Sequence, residues 1–286
     1  MALNYILCIH CGMFKVQVAT YLTFGYPFLM FGFYIKKAFF DGWDNFIQLV
    51  LQNIIYIVFF LLLIGSVVVF GESLALFIPA AIVILFLFSL AMGGTSAVVY
   101  NWSEYKSETW RPFMKGVGRN FRHSVVFFFC LLILLLMYFL VIPFYLSFNN
   151  FLLTILGVFM VWLSVFLVLV LPYYFPLMNL LPGDGPFKTL KKCFIIAGDN
   201  IGYTLLLLLH NLVDIALTIV TMGLLPGWGG LMLGGQDMMK LLMKKYDWIE
   251  ENPDKNRKEM DWSEILYEEK ETLGPRSFKN MIFPWK

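Results

Sequence analysis

Long apolar runs separated by short charged connections dominate the chain. No Asp, Glu, Lys or Arg occurs between Asp44 and Glu72, between Glu72 and Glu104, or between Arg122 and Asp184. A helix needs about 20 mostly apolar residues to cross the hydrocarbon core of a bilayer, so the last gap holds two, turned at Asn149-Asn150 between Phe148 and Phe151. The pattern predicts spans over 46–70, 74–100, 124–148 and 151–180, a fifth over 201–223, and a shorter Gly-rich sixth over 226–244. The stretch 16–35 is apolar but interrupted by Gln17, Gly25, Pro27 and Gly32, and reads as an interfacial or half-inserted segment. It lacks the basic start and small-residue cleavage site of a signal peptide.

Composition agrees with that solvent. Hydrophobic residues make up 60% of the 286 and charged ones 14%, with 30 Phe and a mean hydropathy of +0.76. Soluble chains run at roughly 45–50% and about 25%. A soluble enzyme, a disulfide-rich secreted scaffold and a disordered chain are excluded. The expected fold class is an all-α integral membrane protein of about six transmembrane helices with two cytoplasmic amphipathic elbow helices. The expected division is 1–45 as an N-terminal apolar or interfacial segment, 46–245 as the six-span membrane domain, and 246–286 as a charged cytoplasmic tail.

Charge then orients the spans. Lys36 and Lys37 precede the first, Gly71-Glu72-Ser73 carries no base, and Lys106, Arg111, Lys115, Arg119 and Arg122 share the next connection. Asn149-Asn150 is neutral, Lys188, Lys191 and Lys192 follow, 225–230 is neutral, and Lys240, Lys244 and Lys245 close the series. This alternation places both ends of the core in the cytoplasm by the positive-inside rule.

Both large basic connections have helical periodicity. In the first, Trp110, Phe113, Met114, Val117 and Phe121 share one face, while Arg111, Lys115 and Arg119 occupy another. In the second, Phe187, Leu190, Phe194 and Ala197 are expected inward, with Lys188, Lys191 and Lys192 outward. These are elbows lying on the membrane surface, with Arg111, Lys115, Arg119, Lys188, Lys191 and Lys192 as candidate contacts to lipid phosphates. Each opens on Pro-Phe, at Pro112-Phe113 and Pro186-Phe187, which marks a weak internal duplication of span, elbow and span.

The order of Phe40-Asp41-Gly42-Trp43-Asp44-Asn45-Phe46 leading into a span with Asn53, then Pro112-Phe113, Gly118-Arg119-Asn120-Phe121-Arg122-His123, Pro172-Tyr173-Tyr174-Phe175-Pro176-Leu177 and Thr189-Leu190-Lys191-Lys192, resembles the YesL-type family of bacterial multi-pass membrane proteins. The resemblance covers roughly 36–245. It implies a bacterial inner-membrane location and an accessory role beside carbohydrate-uptake systems, and it supplies no catalytic residue.

Candidate chemistry is sparse. An ionisable group within a span is costly and therefore a candidate site. His210 and Asp214 are one helical turn apart in the fifth span, with Asn211 between them, which suits either a proton or cation relay or a polar tie to a neighbouring helix. Asp237 and Gln236 lie near the cytoplasmic end of the sixth segment. Ser89-xxx-Gly93-xxx-Ala97 and Gly230-xxx-Gly234 are close-packing faces. Cys8-Ile9-His10-Cys11 is half of a metal knuckle without a second pair of ligands, and Cys130 and Cys193 read as inert small hydrophobes. No nucleophile elbow, zinc-protease helix or phosphate loop occurs. Accordingly no catalytic residue, cofactor or metal is assigned. The expected partners are the lipid bilayer and another membrane protein or complex, with no nucleic acid. In the tail, Trp262–Glu271 is expected to form a helix ended by Gly274-Pro275, and Met281–Lys286 an apolar plug that returns to the membrane surface, docks on a partner or folds onto the chain's own cytoplasmic face. The expected function is non-enzymatic: an accessory, assembly or regulatory subunit. The alternative is a small transporter or channel with a polar path through His210 and Asp214.

Overall fold

A computed structural model of the protein describes residues 27–148 and 150–276. The Cys8–Cys11 pair with His10, the first part of the 16–35 stretch, Asn149 and the terminal apolar plug lie outside the described residues. All regular structure among the described residues is helical. The helices are α1 (Pro27–Asp44), α2 (Phe46–Phe70), α3 (Leu74–Ser103), α4 (Trp110–Arg119), α5 (Phe121–Leu136), α6 (Ile142–Leu146), α7 (Phe151–Val170), α8 (Tyr174–Leu180), α9 (Pro186–Asp199), α10 (Ile201–Val220), α11 (Gly227–Glu251), α12 (Trp262–Ile265) and α13 (Tyr267–Leu273). A π turn, Met137–Val141, joins α5 to α6 just before Pro143, whose missing N–H interrupts the regular ladder. A 3-10 turn at Leu171–Tyr173 joins α7 to α8 around Pro172.

Among the described residues, five segments are long and apolar enough to cross a membrane: Phe46–Phe70, Leu74–Ser103, Phe121–Leu146, Phe151–Leu180 and Ile201–Val220. This is an all-α multi-pass membrane protein. The sixth expected span does form helix, as the first part of α11, but Asp237, Lys240 and Lys244 exclude it from that apolar set. The structure therefore counts five such helices where the apolar pattern suggested six.

The chain divides into two compact units, 41–236 and the pairing of 27–40 with 237–276. Residues 27–40 of the N-terminal helix thus share a unit with the tail. In that smaller unit Lys36 and Lys37 are not loop residues but lie within α1, and Lys37 is fully buried. Its Nζ lies 3.6 Å from Asp237 Oδ1 and 3.8 Å from Glu269 Oε2. Glu269 also takes Lys240 at 3.1 Å and Lys244 at 3.8 Å. The tail helix forms in two pieces, α12 and α13. Asp261 caps the first by accepting from Ser263 N at 2.8 Å, and Gly274 ends the second at φ +73, a left-handed position that favours glycine. Trp262, Leu266 and Leu273 are buried.

In the larger unit, small residues set the spacing. A Cβ on Gly94 would meet the Phe113 ring and Val117 at 2.8 Å, and one on Gly116 would meet Ala97 Cβ at 2.7 Å. Helices α3 and α4 are thus in backbone-close contact along the stripe expected from Gly93 and Ala97. The Gly-rich start of α11 closes similarly on α2. A Cβ on Gly227 would strike the Asn53 amide, and one on Gly229 would meet Leu49 at 2.8 Å.

Candidate functional site

Uncharged polar side chains, scattered through apolar helices in the sequence, converge inside residues 41–236. Gln52 and Tyr56 are one turn apart on α2 and both reach Thr95 of α3. Gln52 Nε2 donates to Thr95 Oγ1 at 2.7 Å, and Tyr56 OH donates to the same oxygen at 2.6 Å. One residue further along α3, Ser96 Oγ donates to Gly93 O at 2.8 Å. Asn120 Nδ2 donates to Gly93 O at 2.8 Å and to Ser96 Oγ at 3.2 Å. Asn179 of α8 extends the seam, its Nδ2 donating to Ser96 O at 2.9 Å and to Gln236 Oε1 of α11 at 3.1 Å. Each of these groups is buried, and a buried amide or hydroxyl without a partner costs on the order of 1–3 kcal/mol.

Asn53 holds the turn between α10 and α11. Its Nδ2 donates to Leu224 O at 2.8 Å and Pro226 O at 2.7 Å, and its Oδ1 accepts from Gly229 N at 2.8 Å. Thr218 Oγ1 accepts from Gly227 N at 2.9 Å. Asn53 is the eighth residue of α2, about 10 Å along that helix at 1.5 Å per residue. The turn is therefore packed against the first third of the opening span. Irregular backbone at such a place needs protein partners for its polar groups, and Asn53 supplies three of them.

Helices α3, α5, α7, α8, α10 and α11 line a partly open cavity of about 300 Å³. Its wall is aliphatic, aromatic and methionine side chains, with Ser96, Thr204, Asn211 and Gln236 as the polar members and no charged residue. Thr204 is engaged, accepting from Tyr173 OH at 3.1 Å and donating to Ala197 O and Asn200 O. Gln236 is fully buried, yet only its Oε1 is paired; its Nε2 meets no acceptor among the described residues. Asn211 Oδ1 is buried and likewise without a donor.

Of the sequence-predicted polar triad, the structure separates Asn211 from its neighbours. His210 Nε2 and Asp214 Oδ2 lie 3.3 Å apart, as their spacing anticipated. Neither lines the cavity, whereas Asn211 does. Sequence reasoning missed Gln52, Tyr56, Thr95, Asn179 and the inward role of Gln236. The available signal was the amides and hydroxyls within charge-free spans, Gln52-Asn53 with Tyr56 above all.

The elbows are three-sided. At about 100° per residue, Phe113, Gly116, Val117 and Asn120 make one edge of the α4 segment, and this is the edge against α3. Trp110 and Met114 make a second, 62% and 67% exposed, and Arg111, Lys115 and Arg119 a third, also exposed. The expected single apolar face is thus split between a protein contact and an unpartnered apolar edge beside the bases. In α9 the expected faces rotate. Thr189, Lys192, Cys193, Ile196 and Ala197 are buried, whereas Phe187 is 77% exposed. Lys188 Nζ lies 2.6 Å from Asp184 Oδ1, and Lys192 Nζ is bonded to Asp184 Oδ2. Lys192 is therefore a clamp rather than an outward base, leaving Lys191 as the exposed lysine of that elbow without such a clamp. Burial alone would raise the Asp184 carboxyl, but hydrogen bonds from the two lysines hold it below the usual carboxylate value. Burial pushes the Cys193 thiol up, as suits an inert thiol. Among the described residues no cluster of His, Cys, Asp and Glu is arranged to hold a metal.

Compared with known protein families, curated proteins and solved structures, the chain has no match.

Proposed function

We propose that this protein is a non-enzymatic component of the bacterial plasma membrane, with both ends of its bundle on the cytoplasmic side, α11 serving as a sixth crossing beside the five apolar spans. In this reading it is an accessory, assembly or regulatory subunit of another membrane system. The observation that carries the reading is the smaller unit. A connector does not require a fully buried Lys37 tied to Asp237 and Glu269, because taking such charges out of water is costly. A surface that must be presented in one geometry does. The exposed bases of α4 support the orientation, since anionic cytoplasmic lipid attracts them. The resemblance to the YesL-type family points the same way. Gentle solubilisation from native membranes tests the role, comparing the unaltered chain with Glu269→Gln. A stoichiometric partner that is retained by the first and depleted with the second is expected. A homogeneous, partnerless chain that retains its cellular role would overturn the reading.

The alternative, a small transporter or channel, keeps one observation in its favour: His210 and Asp214 are in contact within a span. Transport that survives Asp214→Asn would remove it.

A further inference from the structure

We infer that the cavity of the larger unit is a binding site for a neutral, single-headed amphiphile whose head is a hydroxyl group. The volume, about 300 Å³, is roughly twice that of an engineered cavity that holds benzene. It stands at the lower end of small-molecule sites and exceeds the small voids of a packed interior. The wall is overwhelmingly apolar, which selects an apolar body.

The head is selected by two atoms that the protein leaves open. Gln236 is fixed by its Oε1, which accepts from Asn179 Nδ2 at 3.1 Å, so its amide N–H groups are held away from that neighbour. Nε2 is buried and meets no acceptor among the described residues, while Asn211 Oδ1 is buried and meets no donor. Both residues line the same cavity. One open donor and one open acceptor are the complement of a hydroxyl, which accepts through its oxygen and donates through its hydrogen. A pure hydrocarbon would leave both atoms unsatisfied. A phosphate, carboxylate or ammonium head would enter a lining that contains no charged residue, and an unpaired charge in such surroundings is strongly disfavoured. The site is independent of the accessory role proposed above, and neither depends on the other.

Photolabelling of the full chain in phospholipid nanodiscs tests the assignment, with diazirine derivatives of 1-decanol and of decane as probes. The alcohol probe is expected to label Met92, Leu208 or Met232, and unlabelled 1-decanol to compete at about tenfold lower concentration than decane or decyltrimethylammonium. Asn211→Leu, which removes the open acceptor at similar volume, should abolish that preference while leaving labelling by the decane probe unchanged. Leu208→Phe should reduce labelling by both probes. Equal competition by alcohol and hydrocarbon would overturn the hydroxyl head. Labelling confined to lipid-facing residues such as Phe139 and Phe159, with the cavity untouched or holding only water, would overturn the site itself.

Discussion

Asn53 shows how much a single amide does inside an apolar helix. Its three hydrogen bonds are all to backbone of the α10–α11 turn and the first turn of α11, groups that water would satisfy in a soluble protein and lipid cannot. Asn53→Leu keeps the volume and removes all three. Individual side-chain hydrogen bonds in membranes average about 0.6 kcal/mol, but stranded buried backbone adds its desolvation cost, so a loss of about 2–4 kcal/mol is expected. Reversible unfolding in mild detergent measures it, and a change under 1 kcal/mol would mean the turn finds other partners. Gly116 is a comparable case of contact without chemistry. Gly116→Val places new carbon where Ala97 Cβ already lies at 2.7 Å and Gly94 O at 3.1 Å, and overpacking of this kind costs about 1–3 kcal/mol. The same assay should show lower stability, with Gly118→Ala as a control, since nothing lies within 4 Å of a Cβ there.

At the scale of elements, the two elbows repeat more than Pro-Phe. Each ends on Gly-x-Asn, at Gly118-Arg119-Asn120 and Gly198-Asp199-Asn200, and each Asn stands outside the helical range at the start of the next span. The repeat diverges in what anchors it. Asn120 donates to Gly93 O, whereas Asn200 donates to Ile196 O in its own elbow, and Asp184 fastens α9 through Lys188 and Lys192. Asp184→Asn leaves the largely buried Lys192 ammonium without its carboxylate. About 2 kcal/mol of local stability should be lost, less than a fully buried pair because Lys188 stays in water. Faster amide exchange in 186–199 reports it. The depressed Asp184 value also has a pH signature. Its contribution is complete above the ordinary carboxylate value of about 3.9 and is lost as pH falls through the lower folded value. Protection of α9 should therefore persist through mild acid and fail only below that range, and in Asp184→Asn it should show no such step.

For the whole molecule, the alternation of basic and non-basic connections carries the topological prediction. In a cysteine-free background, cysteine at Glu72 should react with an impermeant maleimide from outside the cell. Cysteine at Asp254 should react only after the membrane is opened. Labelling of both from one side would contradict two cytoplasmic ends. Glu269→Gln tests the smaller unit as a body. Lys37, Lys240 and Lys244 all address this carboxylate, so amide exchange across 262–273 should accelerate while the spans of the larger unit keep their protection.

The solvent of each segment was legible in the sequence itself. Five of the six expected spans became long apolar helices, because a backbone in lipid has to satisfy its own hydrogen bonds and a helix does so locally. The elbows and the breaks at Asn150 and Gly274-Pro275 were local too, carried by periodicity, capping and positive φ. Tertiary structure decided which polar groups meet. Lys37 looked like a loop base until Asp237 and Glu269, two hundred or more residues away, supplied its counter-charge. Gln236 stood out only as the neighbour of Asp237 in the sixth segment until Asn179 fixed one end of its amide and left the other open on a cavity. Hydropathy sums over neighbours in the chain and so reports the medium around a helix. Pairing of charges and amides depends on distances between helices, which no window along the sequence contains.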